Sequence, residues 1–189
     1  MITNYLRNTT VRFGGARPSL YLADATAPFT LTWSGDTVSA ITITGTTRMH
    51  ELQADIDSVT FTSEGEWGQS GFDTQTLTAK FGTATPLLNA SLIGLKRQMP
   101  RGLWAIYIDN NRRGWLVGLA PAADDFHNDF FRTLSVNYTT GESLENVEDG
   151  NIESIVLTRV SATNKYPLTP ALTTSIISNA ATAFITYAV

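Results

Sequence analysis

Apolar and polar side chains alternate along most of this chain, and that alternation restricts it to a mainly β fold. Successive side chains on a strand point to opposite faces, so a period of two marks a half-buried strand. Phe29, Leu31 and Trp33 share one face and Thr30 and Thr32 the other; Ser34-Gly35-Asp36 supplies a turn, and Val38 to Thr44 completes a hairpin. Val59 and Phe61 alternate with Ser58, Thr60 and Thr62, and a Gly-rich stretch from Gly65 to Gly71 leads into Thr74 to Phe81, which predicts a second strand pair. Further strands are expected at Phe131 to Thr139 and, after the turn signal Asp149-Gly150-Asn151, at Ile152 to Ser161.

One segment breaks the alternation. Leu103-Trp104-Ala105-Ile106-Tyr107-Ile108 is apolar on both faces, and Asp109 to Gly114 turns it into a partner strand, Trp115 to Leu119. Such a strand is either central between two covering layers or half exposed until a neighbouring subunit covers it. One helix is predicted over 85–98. Thr85 can cap its first turn, Pro86 suits the first helical position, and Leu88, Leu92 and Leu95 form an apolar stripe. Lys96 and Arg97 fit the negative end of the helix dipole, and Met99-Pro100-Arg101-Gly102 ends the helix. No internal repeat of 20–50 residues is evident.

Only 16% of the 189 residues are charged, against about 25% in ordinary soluble domains, so Thr, Ser and Asn must make much of the polar surface. The formal net charge of −4 leaves no clustered basic footprint for duplex nucleic acid. Cysteine is absent, which removes disulfides, thiolate metal sites and a cysteine nucleophile. Met1 to Arg12 has no apolar stretch of the secretory kind, and synthesis in a cytoplasm is expected. From Tyr166 to Val189 no charged side chain occurs, yet Thr, Ser, Asn and two prolines argue against a membrane span. The change of texture near residue 165 divides the chain into a β-sandwich domain, 1–165, and a C-terminal arm, 166–189. The arm's Ile176, Ile177, Phe184, Ile185 and Tyr187 should dock on its own sheet or on a neighbour.

Candidates for chemistry are few. His127 lies in Asp124-Asp125-Phe126-His127-Asn128-Asp129, the cluster densest in hard-cation ligands, but without EF-hand spacing it reads as a solvated loop. Glu64 and Glu66, with Asp55 and Asp57 nearby, could be imagined as the carboxylate pair of a glycosidase; nothing in their spacing sets them across a cleft. Trp33, Trp67, Trp104 and Trp115 could stack on sugars, Trp67 best placed in its Gly-rich loop, although core or interface packing is the commoner fate of such residues. Gly14-Gly15 and Gly65, Gly68 and Gly71 match no phosphate-binding loop. Neither catalytic residues nor a cofactor is implied. Charge is segregated: Lys96, Arg97, Arg101, Arg112 and Arg113 fall in one stretch and Glu142, Glu145, Glu148, Asp149 and Glu153 in another. Opposite patches suit head-to-tail stacking into rings or tubes, or are two unrelated solvated faces.

Taken in order, Gly14-Gly15 with Pro18 to Leu22, the hairpin at 29–44, Met49-His50-Glu51-Leu52 with Val59 to Glu66, Thr74 to Phe81 and the helix follow a pattern, continued by Leu103 to Asn110, Arg113 to Leu119, Leu134 to Glu142 and Ile152 to Leu157. This order resembles the tail-tube and tail-ring proteins of tailed phages of Bacteroidetes-type hosts. The resemblance spans most of residues 14–160 and excludes the C-terminal segment. It implies a β-sandwich or partial barrel with one flanking helix, multimerised into rings whose inner sheets line a DNA-passage channel. It further implies a virion location after assembly in the host cytoplasm, partners among other tail or connector proteins, and DNA only as passing cargo. The expected assembly contacts are Trp104, Ile106, Ile108, Arg112 and Arg113, together with Ile176, Ile177, Phe184, Ile185 and Tyr187 of the arm. The alternative reading is a carbohydrate- or receptor-binding β module of a phage fibre or baseplate, resting on the tryptophans.

Overall fold

A computed structural model describes residues 16–25, 29–43, 49–55, 58–65, 72–81, 86–119, 130–138, 153–161, 165–178 and 185–187. The fold is mainly β with unclosed sheets and two helices, in keeping with the expected sandwich. In chain order the elements are β1 (Ala16–Asp24), β2 (Phe29–Ser34), β3 (Thr37–Ile43), β4 (Met49–Gln53), β5 (Thr60–Glu64) and β6 (Asp73–Phe81). Then come α1 (Pro86–Gln98), a single 3₁₀ turn (Met99–Arg101), β7 (Leu103–Asp109), β8 (Gly114–Val117), β9 (Thr133–Tyr138) and β10 (Glu153–Ser161). The chain continues with β11 (Tyr166–Pro167), α2 (Pro170–Ile177) and β12 (Ile185–Tyr187).

The strands make three layers. A six-stranded sheet, ordered β11-β8-β7-β1-β4-β12, lies in the middle. On one side it faces the four-stranded sheet β5-β6-β10-β9 and α1; Leu20, Leu22, Leu103, Ala105 and Tyr107 meet Leu77, Phe81, Ile155, Leu157, Leu92 and Leu95 there. On the other side the β2–β3 hairpin and α2 cover it, so that Trp104, Ile106 and Ile108 pack with Val38, Ile41, Leu168, Leu172 and Ile176.

This layering explains the doubly apolar strand. β7 is interior in the middle sheet, paired to β1 and β8, and its two side-chain sets enter two different cores of the same chain. Trp104, Ile106 and Ile108 are 2%, 0% and 1% exposed, so the expectation that they form a subunit contact is corrected: they are core residues of one protomer. Phe29 meets Trp104 edge-on at 5.5 Å.

The segment expected to reach a neighbour also turns back, as far as Ser178. Leu168 N donates to Gly114 O at 2.9 Å and Thr169 N to Val38 O at 2.9 Å, which pins the segment to β8 and β3. Thr169 then caps α2, accepting from Leu172 N, with Pro170 at the helix start. Ile176 is 1% exposed and Ile177 half-buried in the same core. The proposed boundary at 165 therefore cuts through packed structure up to residue 178. β12 adds in parallel to the β4 edge, Ile185 opposite Met49 and Tyr187 opposite Glu51, while Phe184 lies outside the described residues.

The positive residues do not gather as their sequence proximity suggested. Arg101 precedes β7 and Arg112 and Arg113 follow it, so a seven-residue strand of about 20 Å separates them. Arg101 instead stands 4.0 Å from the Asp24 carboxylate. Among the described residues no helix is long and apolar enough to cross a membrane.

Candidate functional site

Two features of the four-stranded sheet bear on function: its edges and a hollow beside one of them. All of its pairs are antiparallel, β5 with β6, β6 with β10 and β10 with β9. Four strands is an even number, so the edges β5 and β9 run in opposite directions. Among the described residues neither strand is paired on its outer side. An unpaired edge is a row of unsatisfied N–H and C=O groups, ready for another strand.

The register across this sheet sets its two faces. Inward, Phe61, Leu77, Leu157 and Leu134 stand in one row. The two middle members are 0% exposed, whereas the end members Phe61 and Leu134 are only partly buried, because each has a strand on one side alone. Outward, Thr62, Thr76, Thr158 and Thr133 form a row across all four strands, followed by Thr60, Thr78, Val156 and Ser135. Glu64 and Lys80 stand exposed toward opposite ends of this face, which otherwise carries hydroxyl and methyl groups through its middle rows.

A half-open hollow of about 250 Å³ lies at the start of β5, between the two sheets. Val59, Thr60 and Phe61 come from β5 and its approach, Tyr107 and Asp109 from the end of β7, Trp115 from β8, and Lys165 from the residue before β11. Phe61 and Tyr107 stack at 5.7 Å. The Lys165 ammonium sits 4.3 Å from the Trp115 ring centroid and 5.4 Å from that of Phe61, and donates to the Tyr107 hydroxyl at 3.1 Å. Ring faces attract a cation at such distances by about 0.5–2 kcal/mol. Asp109 organises the turn beneath: one oxygen accepts from Asn111 N at 2.8 Å and Arg113 N at 2.9 Å, the other from the Trp115 indole at 3.2 Å.

Burial pulls the Lys165 amine below its usual pKa, with the Asp109 carboxylate opposing, and burial first and Asp109 second push the Tyr107 phenol upward. The two shifts act in different pH windows. A phenol favoured in the folded state contributes stability that is complete below its unfolded pKa of about 10 and is lost as pH rises beyond it. A depressed amine does the reverse, its cost of protonation fading as pH rises toward about 10.4. Tyr107→Phe is therefore expected to remove part of the loss of stability above pH 10, measured as the denaturant midpoint across pH 8–11. A wild-type loss left unchanged by the substitution would show that Tyr107 is not its source.

The other sequence candidates are dispersed. Trp115 packs on the four-stranded side of the middle sheet, whereas Trp104 and Trp33 belong to the opposite core, Trp33 edge-on to Tyr166 at 5.3 Å. These three tryptophans share no stacking platform. Trp67, Asp57, Glu66, Gly14-Gly15, the Asp124–Asp129 cluster and Glu142 to Asp149 lie outside the described residues, while Glu64 and Asp55 are exposed. Arg112 and Arg113 are exposed on the β7–β8 turn next to the hollow. Sequence reasoning missed the hollow, because Lys165 stood at a supposed domain boundary and nothing local ties it to Phe61 or Trp115. The unclosed, three-layered, mainly β architecture defines the class of this protein; no protein-family model, curated protein or solved structure matches the chain.

Proposed function

We propose that this protein is a non-enzymatic structural subunit whose copies join β5 of one to β9 of the next, closing head to tail into a ring or tube. The observation that carries this reading is the pair of open, oppositely directed edges on an even-stranded antiparallel sheet, each ending an apolar row in a half-buried side chain. A copy generated by rotation brings its β5 antiparallel to the first copy's β9, so the alternation of strand directions continues through every seam. Phe61 and Leu134 then cover one another. Such heterologous contacts build rings where the rotation closes.

The Thr-rich outward face suits the lumen of such a ring. Without basic side chains along its middle rows it offers passing DNA no charge-neutralising contacts, the kind that supply most non-specific affinity. Together with the resemblance to tail-tube and tail-ring proteins, this supports a place in the tail of a phage virion, assembled with other tail or connector proteins. The sugar-binding alternative has less support, since the placed tryptophans lie in separate cores and Lys165 occupies the face of Trp115.

Cysteines test the seam, because the chain has none of its own. Thr62→Cys and Thr133→Cys place thiols at opposite edges of one sheet row, about 14 Å apart within a protomer at strand spacings of 4.7–4.9 Å. A disulfide requires Cα atoms within about 7 Å, so it must join two copies. Oxidation of the double variant, or treatment with a bis-maleimide too short to span the sheet, is expected to give a ladder of covalent multimers, with rings in negative-stain images. A monomer under both treatments at micromolar concentration would overturn the reading.

A further inference from the structure

In an antiparallel sheet a residue directs its N–H and C=O to one neighbouring strand only, so hydrogen-bonded and non-hydrogen-bonded pairs alternate along any row. Across four strands that alternation returns to its start. Phe61 and Leu134, the ends of the row Phe61, Leu77, Leu157 and Leu134, therefore present the same hydrogen-bonding state to whatever lies outside them. The row can be carried into a second copy without a shift, Leu134 opposite Phe61. A slip by one residue is excluded, because it sets unlike groups together and turns inward side chains outward.

At the unshifted register two charges come level. Two residues beyond Phe61 along β5, Ser63, Gln75 and Arg159 form a row, and on the β9 side that level is reached at Arg132, one residue before Thr133. Arg132 is exposed, and among the described residues it has no ion-pair partner. Its row neighbour Arg159 is 4% exposed and donates to Gln75 Oε1 at 2.8 Å, so on its inner side Arg132 meets a like charge. At the opposite rim the Asp73 carboxylate reaches from β6 to the β5 edge. The Ser63 hydroxyl donates to one of its oxygens at 3.0 Å, and the other lies against Gly65, where a Cβ would collide with it. Asp73 likewise has no ion-pair partner among the described residues. Within one protomer the β9 and β5 rims are three strand spacings apart, about 14 Å.

We infer that Arg132 of one copy pairs with Asp73 of the next, at the end of β5 remote from the hollow, and that this pair fixes the register in which copies join. The inference rests on the β5–β9 seam, which sets the two rims side by side. The next slips that keep the faces, by two residues either way, each lose a contact: one moves Arg132 opposite Phe61 and away from Asp73, the other moves Leu134 opposite Ser63 and away from Phe61. Only the unshifted register keeps Phe61 on Leu134 and Arg132 beside Asp73 together. Ser63 already holds the carboxylate in place, so pairing orders the arginine alone. A guanidinium suits this partner, since its planar fork matches a carboxylate.

Arg132→Lys keeps the charge and puts an amine at the β9 rim, and zero-length carbodiimide coupling then reads which carboxylate it meets. In a mixture of ordinary and ¹⁵N-labelled Arg132→Lys protein, that amine is expected to couple to Asp73, giving light–heavy peptide pairs that disappear when Asp73→Asn is added. Asp73→Asn, which keeps an acceptor for Ser63, is expected to raise the concentration needed for assembly by about two- to fivefold. Arg132→Glu is expected to raise it by about tenfold or more, and by less when Asp73→Asn removes the facing like charge. Coupling confined to single chains, links that persist in Asp73→Asn, or charge reversal without effect, while the Thr62→Cys and Thr133→Cys bridges still form, would overturn this inference and leave the seam standing. Absence of bridges and couplings together would remove both.

Discussion

Replacing Trp104 by alanine is expected to cost this protein about 3–5 kcal/mol of folding stability, a large share of the roughly 5–15 kcal/mol that holds a domain together. The ring is 2% exposed, meets Phe29 edge-on at 5.5 Å and stands on the central strand, so its removal opens a cavity between the middle sheet and the β2–β3 hairpin. Urea unfolding of Trp104→Ala under dilute, monomeric conditions measures it. A midpoint close to wild type, with assembly lost, would return Trp104 to the subunit contacts from which its burial removes it.

Deletion of residues 166–189 is expected to unfold the remainder. Leu168, Leu172 and Ile176 are 6%, 9% and 1% exposed and cover Val38, Ile106 and Leu116. Losing them forfeits about 1.5–3 kcal/mol for each side chain, a sum comparable with the whole stability of a domain, and the β4 edge loses β12 as well. Circular dichroism and near-ultraviolet signals of the truncated chain are expected to show lost tertiary packing at 25 °C. A cooperative unfolding transition like that of the full chain would show instead that this segment is a detachable arm. A shorter deletion, 179–189, removes β12 without α2 and is expected to leave the core folded.

Much of the secondary structure was legible in the residues. The hairpin at 29–43, the helix starting at Pro86 and the strand ending at Phe81 lie where alternation, the helix-start proline and turn residues place them, and Gly35 at φ +59° supplies the left-handed position its tight turn needs. α2 was missed although Thr169-Pro170 repeats the start signal of Thr85-Pro86. Its eight residues carry no charge and include Thr173, Thr174, Ile176 and Ile177, β-branched types with weak helix preference, so burial of Leu172 and Ile176 had to decide. The candidate site was less legible. The register that lines up Phe61, Leu77, Leu157 and Leu134 depends on pairings between distant segments, as does the meeting of Lys165 with Trp115.

What the sequence by itself determined is local: a side-chain period of two makes strands, a capped Thr-Pro start makes a helix, and a strand apolar on both faces must be covered on both. Which chain does the covering is not a local property. The hairpin at 29–43 and the helix at 170–177 close over Trp104, Ile106 and Ile108 from far along the same chain, and β5 and β9 are left open because no described segment reaches them. Apolar periodicity records that a surface leaves water, since burial free energy depends on area and not on the identity of the neighbour. Only the tertiary structure distinguishes a surface this protein buries for itself, as over Trp104, Ile106 and Ile108, from a sheet edge that no described segment covers.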